Sequence, residues 1–415
     1  MLKNEIYTTK ICGYSSTGDG VTRIDNQVVF VKNALDKETV KIKILKVQKN
    51  CAWAKVEEII YSSPERIIPK CKHFKQCGGC DLQHMTYTEE IKFKTQKIND
   101  AFKKFSNTNK QLDYFHKAEE TERYRNKAIF PVSDNHIGLY KERSHNIVDI
   151  DDCLIQNKLT NKIFNVIKEW IQKYNIDNVS NIFIRTNTQN QAIICLVCKN
   201  QKLAHKNELI GTVQKNIPET VGIVMNVNKK NTNVILGKKY IIIWGKDYII
   251  QNDFKVSIPS FFQVNHDQTK VLYNRALELA QPDGLEVADL YCGIGTISHV
   301  MAHQAKHVTG IEIVPQAIED AKQNKPENID FICGDASLIE NADVVVVDPP
   351  RAGLNKETIE NILKAKPTRI VYISCNPATM ARDVALLAPY NLKTLEAVDM
   401  FPRTKHVECI GLMVQ

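Results

Sequence analysis

The sequence lacks any apolar run of the roughly 20 residues that a helix needs to cross a bilayer. Its first segment, MLKNEIYTTK, lacks the apolar stretch of a secretory signal. Low-complexity tracts and internal repeats are also missing, so nothing indicates a repeat array. We therefore expect a cytoplasmic monomer with no membrane partner. Its 415 residues exceed one ordinary core and predict two or three domains.

The last third of the chain lacks an excess of basic residues. Residues 281–415 carry a net charge of −6, whereas residues 1–130 carry +8 and residues 131–280 carry +6. A basic front half predicts a surface that binds a polyanion, joined to a domain with another task. The alternative interpretation is a lysine-rich, solvated surface with no partner.

Residues 1–62 contain short β-like segments, VTRIDNQVVFVKNA and TVKIKILKVQKNCAWAKVEEII, separated from the chain start by the turn-rich GYSSTGDG. Segments of this kind predict a small β-barrel. The two prolines of YSSPERIIPK predict the linker that leaves it. Four lysines project from the predicted strands or their turns: Lys41, Lys43, Lys46 and Lys49.

Residues 63–260 mix strand and helix patterns and predict an α+β central domain that begins with a cysteine-rich loop. NIFIRTN, QAIICLVC and VGIVMNVN are typical of strands, whereas TEEIKFKTQKINDAFKKF and KLTNKIFNVIKEWIQKY are typical of helices. In residues 261–415, helices and strands alternate from DQTKVLYNRALELA to RIVYISC. That alternation predicts a Rossmann-like α/β domain with a parallel, doubly wound sheet.

A glycine-rich turn follows an apolar strand in VADLYCGIGTISHVMA and precedes a helix, which is typical of a nucleotide-containing cofactor site. Gly293 and Gly295 allow close backbone approach, and Glu312 ends the next strand, where a carboxylate suits a ribose diol. Asp335 ends the third strand and Asp348 the fourth, within Asp-Pro-Pro. The turn alone is equally compatible with NAD. The missing third glycine and the Asp-Pro-Pro motif, which resembles nucleobase methyltransferases, favour S-adenosylmethionine.

Cys375 lies at the carboxyl end of a further strand, in ISCNPAT, and Glu408 lies near the chain end in VDMFPRTKHVE. C5 of uracil is a poor nucleophile, but a thiolate that adds to C6 makes C5 reactive toward a methyl donor. A base must then remove the C5 proton. The sequence offers Cys375 as the nucleophile and Glu408 as the base. A cysteine at a strand end is otherwise more often inert packing.

The motifs DPPRAGL, YISCNPAT and VDMFPRTKHVE resemble the bacterial (uracil-5-)-methyltransferases of ribosomal and transfer RNA, and the resemblance extends over nearly the whole chain. It implies a TRAM barrel, which is an OB-like RNA-binding fold, followed by a central domain and a methyltransferase domain. The resemblance also implies a donor site, whose members here are Gln263, Tyr291, Glu312 and Asp348. Thr296 and Asp335 occupy positions that vary in the family, as does Arg403.

Cysteines recur as Cys71-x5-Cys77-x2-Cys80, and Cys153 is a candidate fourth ligand. Four cysteines in a cytosolic chain indicate a metal site, with zinc as the general expectation. The spacing resembles the iron–sulfur branch of the family, which implies a [4Fe–4S] cluster with a structural role and zinc as the alternative. Cys195 and Cys198 lie in a strand-like segment and are predicted to be core residues.

Two other functions remain open from the sequence. A methyltransferase acting on an amino group would use Asp-Pro-Pro but would need neither Cys375 nor Glu408. A non-enzymatic iron–sulfur RNA-binding protein would keep only a vestigial methyltransferase domain. The iron–sulfur resemblance favours 23S ribosomal RNA over transfer RNA as the partner, and the sequence does not identify the uridine.

Overall fold

The computed structural model describes residues 1–134, 136–229, 234–323 and 325–415. The first sheet contains five strands in the order β1-β4-β5-β3-β2. Side chains of β4 alternate between partly exposed and buried from Thr39 to Ile44, as a half-buried strand requires. Thr9 on β1 and Thr22 on β2 share a hydrogen bond of 2.6 Å, so the two edges meet as in a barrel. The strands are β1 (Ile6–Lys10), β2 (Gly20–Ile24), β3 (Gln27–Lys32), β4 (Thr39–Val47) and β5 (Cys51–Tyr61).

The linker after the barrel is fixed to it by a buried ion pair. Arg66 donates two hydrogen bonds, of 2.5 and 2.7 Å, to the carboxylate of Glu38. Helix α1 (Tyr87–Phe105) then begins at Thr86, whose hydroxyl accepts from the Glu89 amide. A short strand, β6 (Tyr114–His116), follows it.

The central domain is built on a seven-stranded sheet in the order β13-β12-β11-β10-β7-β8-β9. Helix α2 spans the residues predicted for it, because its apolar side chains recur on one face and pack on the sheet. A separate hairpin, β14–β15, leads toward the last domain. The elements are β7 (Lys127–Ser133), β8 (His136–Tyr140), β9 (Ile147–Asp149), α2 (Lys158–Tyr174), β10 (Val179–Thr186), β11 (Ala192–Cys198), α3 (Lys206–Asn216), β12 (Thr220–Val227), β13 (Lys239–Gly245), β14 (Tyr248–Gln251) and β15 (Phe254–Ser257).

The C-terminal domain has the predicted Rossmann-like fold. Its sheet has the order β18-β17-β16-β19-β20-β22-β21-β6, and the five strands from β18 to β20 run parallel. Strand β22 is antiparallel to β20 and β21. The elements are α4 (His266–Ala280), β16 (Glu286–Leu290), α5 (Thr296–Ala302), β17 (His307–Glu312), α6 (Pro315–Ala321), β18 (Ile329–Cys333), a 3-10 turn (Ala336–Leu338), β19 (Val344–Val347), α7 (Lys356–Ala365), β20 (Arg369–Ser374), α8 (Pro377–Leu386), β21 (Asn391–Val398) and β22 (Glu408–Val414).

One part of the predicted central segment packs elsewhere. Strand β6 joins the edge of the C-terminal sheet beside β21, and α1 packs against α8. Ile98 and Phe102 of α1 and Phe115 of β6 belong to the C-terminal core. The boundaries placed at 62/63 and 260/261 stay predictions, but α1 and β6 are packed with the third unit. No helix among the described residues is long and apolar enough to cross a membrane.

Candidate active site

The predicted catalytic and donor-binding residues gather at one edge of the C-terminal sheet. Tyr291 follows β16, Glu312 ends β17 and Asp348 follows β19, all at the carboxyl ends of parallel strands. Cys375 follows β20 in the same way. Because β22 runs in the opposite direction, its first residue, Glu408, lies at this edge too. Ligands of open α/β sheets bind at this edge.

The predicted nucleophile and base face each other across two neighbouring strands. Ser374 pairs with Cys409, so the next position along β20 brings Cys375 beside Glu408. Cys375 is partly exposed, whereas Glu408 is buried with 3% of its surface accessible. A reactant can therefore reach the thiol, while the carboxyl group stays out of bulk water.

Burial and like charges favour the protonated forms of this pair. Burial raises the pKa of the Cys375 thiol, and the Glu408 carboxylate raises it further. Burial likewise raises the pKa of Glu408 well above its ordinary value, with a further increase from Asp348. The guanidinium of Arg351 opposes both effects, because its positive charge favours the ionised thiol and carboxyl groups. The site is therefore short of positive charge and suits a cationic ligand.

Arg351 was not singled out from the sequence, although the DPPRAGL motif contains it. Its backbone carbonyl accepts hydrogen bonds from Asn376 (3.1 Å) and Thr379 (3.2 Å), which flank the nucleophile on the α8 side. The Asp-Pro-Pro-Arg segment thus supports both the charge and the position of Cys375. The arginine within that motif was the available sequence signal.

The glycine-rich turn leaves open space beside Glu312. Gly293 has φ of 58°, and a Cβ there would meet nothing within 4 Å, whereas one at Gly295 would lie 2.4 Å from the ring of Phe331. The Glu312 carboxylate accepts from the amides of Gly293 (3.2 Å) and Val314 (2.8 Å), which fixes it at the turn. This arrangement can hold the sugar of a nucleoside-containing donor.

The other three predicted donor-binding residues lie in different environments. The Gln263 side chain is buried, and its backbone carbonyl accepts from Asn126 at 2.9 Å. Thr296 shares a 3.0 Å hydrogen bond with Tyr273 beside a cavity of about 390 Å³. Asp335 accepts from the Ser337 amide at 2.9 Å, and these bonds lower the pKa of its carboxyl group. Asp335 thus caps a turn, in addition to any contact it makes with a ligand.

A buried carboxyl group that was not predicted as a site residue lies beneath the turn. Asp289 on β16 is fully buried and accepts one hydrogen bond, of 2.6 Å, from Ser298. Its second oxygen has no partner within the described structure. Burial raises its pKa to about 7, and the pKa of Asp348 is also raised to about 7, by burial and by Asp289. An aspartate inside the apolar run VADLYC was the sequence signal for this group.

The four candidate metal ligands are all free thiols. Burial raises the pKa of Cys80, and so does the Cys153 thiolate. Burial raises the pKa of Cys153 to about 11, with further increases from Cys77 and Cys71. The thiols therefore lie close enough to influence one another. Over the described ranges, however, no group of three or more His, Cys, Asp or Glu side chains is arranged to hold a metal ion. The predicted metal loop thus stays a prediction.

The remaining C-x2-C pair agrees with its predicted role. Cys195 and Cys198 lie on β11 and are fully buried. They are core residues of the central sheet, as the strand-like sequence indicated.

A buried ion cluster anchors the segment 399–407, which leads into Glu408. Lys94 donates to Glu90 and to Asp399 at 2.7 Å each, and all three side chains are inaccessible to solvent. Burial lowers the pKa of Lys94, but the two carboxylates outweigh burial and raise it. The Glu90 carboxylate also accepts from the Arg403 amide at 2.8 Å. Helix α1 thereby holds the chain that positions the predicted base.

Lys94→Met should lower the free energy of unfolding by about 3–5 kcal/mol, because it leaves two buried carboxylates without their cation. Chemical denaturation measures this change. Lys92→Met on the same helix is the matched control, since the Lys92 side chain is half-exposed where it pairs with Glu89 and Asp36. The control should change stability by about 1 kcal/mol or less. Equal effects of the two substitutions would contradict the anchoring role of Lys94.

Comparison with family models gives three matches along the chain. Residues 335–415 match the model described as tRNA (Uracil-5-)-methyltransferase. Residues 2–56 match the TRAM domain, and residues 287–364 match a methyltransferase domain. The first and last units of the fold therefore each have a counterpart.

Comparison with whole proteins extends the likeness to nearly the full length. The chain is 44% identical over 444 residues to an uncharacterized RNA methyltransferase of Clostridium tetani, covering 99% of this chain and 96% of the relative. It is 40% identical over 445 residues to one of Halalkalibacterium halodurans, with coverages of 99% and 97%. A crystal structure of the Pyrococcus abyssi tRNA (uracil-54, C5)-methyltransferase with S-adenosyl-L-homocysteine superposes with a TM-score of 0.83 at 26% identity, covering 98% of this chain and 99% of that one.

Proposed function

The chain belongs to the bacterial RNA (uracil-5-)-methyltransferase family, and from this we propose that it methylates C5 of an RNA uridine through a covalent bond from Cys375 to C6. The observation that carries the proposal is the juxtaposition of Cys375 and Glu408 at the sheet edge that also presents Glu312 and Asp348. A nucleophile and a base that can both reach one small ring are what the chemistry needs.

The reaction begins when the Cys375 thiolate adds to C6 of the uracil. The electron pair moves to C5, which attacks the methyl group. S-Adenosylmethionine supplies that methyl group on a positively charged sulfur and leaves as a neutral thioether. Glu408 then takes the C5 proton, the C5–C6 double bond re-forms, and the C6–S bond breaks to return the thiolate.

The electrostatics of the free site suit this sequence of steps. Arg351 stabilises the thiolate form of Cys375, since its guanidinium lowers the pKa that burial has raised. A positively charged sulfur next to Asp348 would lower the pKa of that carboxyl group, which lies at about 7 in the free protein. Donor binding would in this way favour the ionised form of the carboxyl group. After methyl transfer the sulfur is neutral, so its attraction to the carboxylate would be lost and the spent donor would bind less tightly.

We assign 23S ribosomal RNA as the substrate, on the resemblance of the cysteine spacing to the iron–sulfur branch of the family. Transfer RNA is the second candidate, because the similar Pyrococcus abyssi enzyme is named for uracil-54 of tRNA. Mapping 5-methyluridine in ribosomal and transfer RNA of a deletion strain decides between them. The missing methyl group should return with the intact gene and stay missing with Cys375→Ala. A deletion strain with unchanged 5-methyluridine in both RNAs would contradict the proposed function.

The four cysteines supply the donor set of a [4Fe–4S] cluster, with zinc as the alternative. They are Cys71, Cys77, Cys80 and Cys153, all free and mutually close enough to interact electrostatically. When bound, the group would add no step to methyl transfer but would stiffen the cysteine loop. That loop contacts the segment before Glu408, because the amides of Asp81 and Leu82 both donate to the Arg403 carbonyl at 3.1 Å.

Protein purified without oxygen should be brown and contain about four irons per chain. Cys77→Ser should remove the colour and the iron, as measured by absorbance and elemental analysis. Cys12→Ser is the control, since Cys12 is an exposed thiol on the barrel and should leave both unchanged. Stoichiometric zinc without iron would establish the alternative, and neither metal would contradict the site.

A further inference from the structure

A cavity of about 490 Å³ opens between three separate parts of the chain and reaches Asn376, the residue after the predicted nucleophile. The turn before β2 contributes Tyr14, and one face of α1 contributes Phe93, Lys104 and Phe105. The third wall is the start of α8, where Asn376 lies next to Cys375 in the sequence. The volume falls in the range of pockets that bind small organic ligands.

The walls of this cavity are held firmly in place. The Tyr14 hydroxyl donates to Glu89 on α1 at 2.8 Å and accepts from the Asp36 amide at 3.1 Å. Its ring packs edge-on against Phe93, with 5.7 Å between ring centroids. Asn376 caps α8 by accepting from the Ala378 amide, and donates to the Arg351 carbonyl. The barrel and the catalytic strand therefore form one preformed pocket around α1.

The lining combines aromatic rings with two lysines, Lys97 and Lys104, and one carboxylate, Asp100. Phe105 is 44% exposed at the end of α1, so its ring is accessible to a ligand. The Lys104 ammonium lies 4.9 Å from the centroid of this ring. Aromatic faces beside lysines are the features with which proteins bind single-stranded nucleic acid, since rings stack on bases and cations pair with phosphates.

We propose that this cavity binds the nucleotide next to the target uridine, with its base stacked on Phe105 and its phosphate paired with Lys104. The inference rests on the proposed function, because a uridine bonded to Cys375 must be unstacked from its neighbours. The adjoining nucleotide then continues from the position of Cys375, and the cavity that begins at Asn376 can receive it. The barrel contributes to RNA recognition here through Tyr14, by shaping the site that holds the flanking base.

The test measures the affinity of the full-length protein for a short single-stranded RNA with one uridine flanked by adenosines. Phe105→Ala should weaken binding by about 5-fold to 100-fold, the usual cost of losing one stacked base. Lys104→Ala should weaken binding and reduce the slope of log affinity against log salt by about 0.7. Lys103→Ala is the matched control, since it makes the same charge change on the preceding residue of α1, which does not line the cavity, and it should leave the slope unchanged.

Two further RNAs each carry one abasic site, the first on the 5′ side of the uridine and the second on its 3′ side. For one of these two RNAs, the wild-type protein should have the same low affinity that Phe105→Ala has for the intact RNA. Phe105→Ala should bind that abasic RNA and the intact RNA with equal affinity. Equal affinity of Phe105→Ala and wild type for intact RNA would overturn the subsite. So would an equal loss on both abasic RNAs, or equal effects of Lys103→Ala and Lys104→Ala.

A separate measurement distinguishes failure of the subsite from failure of the proposed function. If only the subsite is wrong, the wild-type protein still forms an adduct through Cys375 with 5-fluorouridine RNA, and Phe105→Ala forms it equally well. If the proposed function is wrong, the wild type forms no such adduct, while the affinity differences between Lys103→Ala, Lys104→Ala and Phe105→Ala persist. Calorimetry with S-adenosylmethionine should give the same affinity for all variants.

Discussion

Replacing Cys375 with alanine should lower the rate of methyl transfer by about a thousandfold or more, because the variant lacks the proposed nucleophile that adds to C6. Binding of S-adenosylmethionine should be retained, since the predicted donor contacts lie on other strands of the sheet. Transfer of labelled methyl groups to RNA and calorimetry with the donor measure the two quantities separately. A large loss of rate with little loss of donor affinity is the expected signature of a missing nucleophile.

Cys333→Ala is the matched control, since Cys333 is an exposed thiol at the same sheet edge, at the end of β18. That variant should stay active. With 5-fluorouridine RNA and the donor, a stable adduct should map to Cys375. A base can remove a hydrogen from C5 as a proton but cannot remove fluorine, so the final elimination is blocked. Full activity of Cys375→Ala would instead favour methylation of an amino group. An adduct on another cysteine would show that this other cysteine, and not Cys375, is the nucleophile.

The sheet-edge residues were predictable because their positions follow from local patterns. Val344–Val347 is a short, β-branched apolar run followed by Asp-Pro-Pro, which predicts a buried strand with Asp348 at its carboxyl end. The same reasoning placed Glu312 and Cys375 beside it. The antiparallel direction of β22, which brings Glu408 to that edge, was not predicted, and Glu408 was proposed as the base from the chemistry and the family resemblance alone. The geometry agrees with these placements, while the roles of the residues stay predictions.

Other features could not be predicted, because they depend on contacts between distant parts of the chain. The ion pair of Lys94 with Asp399 joins residues 305 positions apart, and nothing near either residue in the sequence indicates it. On an amphipathic helix a lysine predicts a solvated face, yet Lys94 is fully buried. Strand β6 has three residues and pairs with β21 across a similar gap, so no local periodicity could show it.

Glu408→Gln should stop the reaction after methyl transfer and leave a methylated RNA bonded to Cys375. The amide cannot accept the C5 proton, so the elimination that frees the enzyme has no base. Denaturing gel electrophoresis should show a protein–RNA band with normal uridine RNA that carries the labelled methyl group. Glu312→Gln, a matched change at the same sheet edge, should weaken donor binding and give no such band. Rapid turnover by Glu408→Gln would show that another group is the base.

The pH dependence supplies an independent check on the same residue. Burial and Asp348 raise the pKa of Glu408, so lowering the pH leaves it protonated and unable to accept a proton. In the wild type, release of methylated RNA should slow as pH falls through this raised pKa, whereas Glu408→Gln should show no such step. The pKa of this carboxyl group is higher in the folded protein than in the unfolded chain. Between those two pKa values the folded protein holds the proton and the unfolded chain does not, so the free energy of unfolding falls as pH rises. Glu408→Gln should therefore gain thermal stability relative to wild type as pH rises, which excludes unfolding as the reason for its arrest.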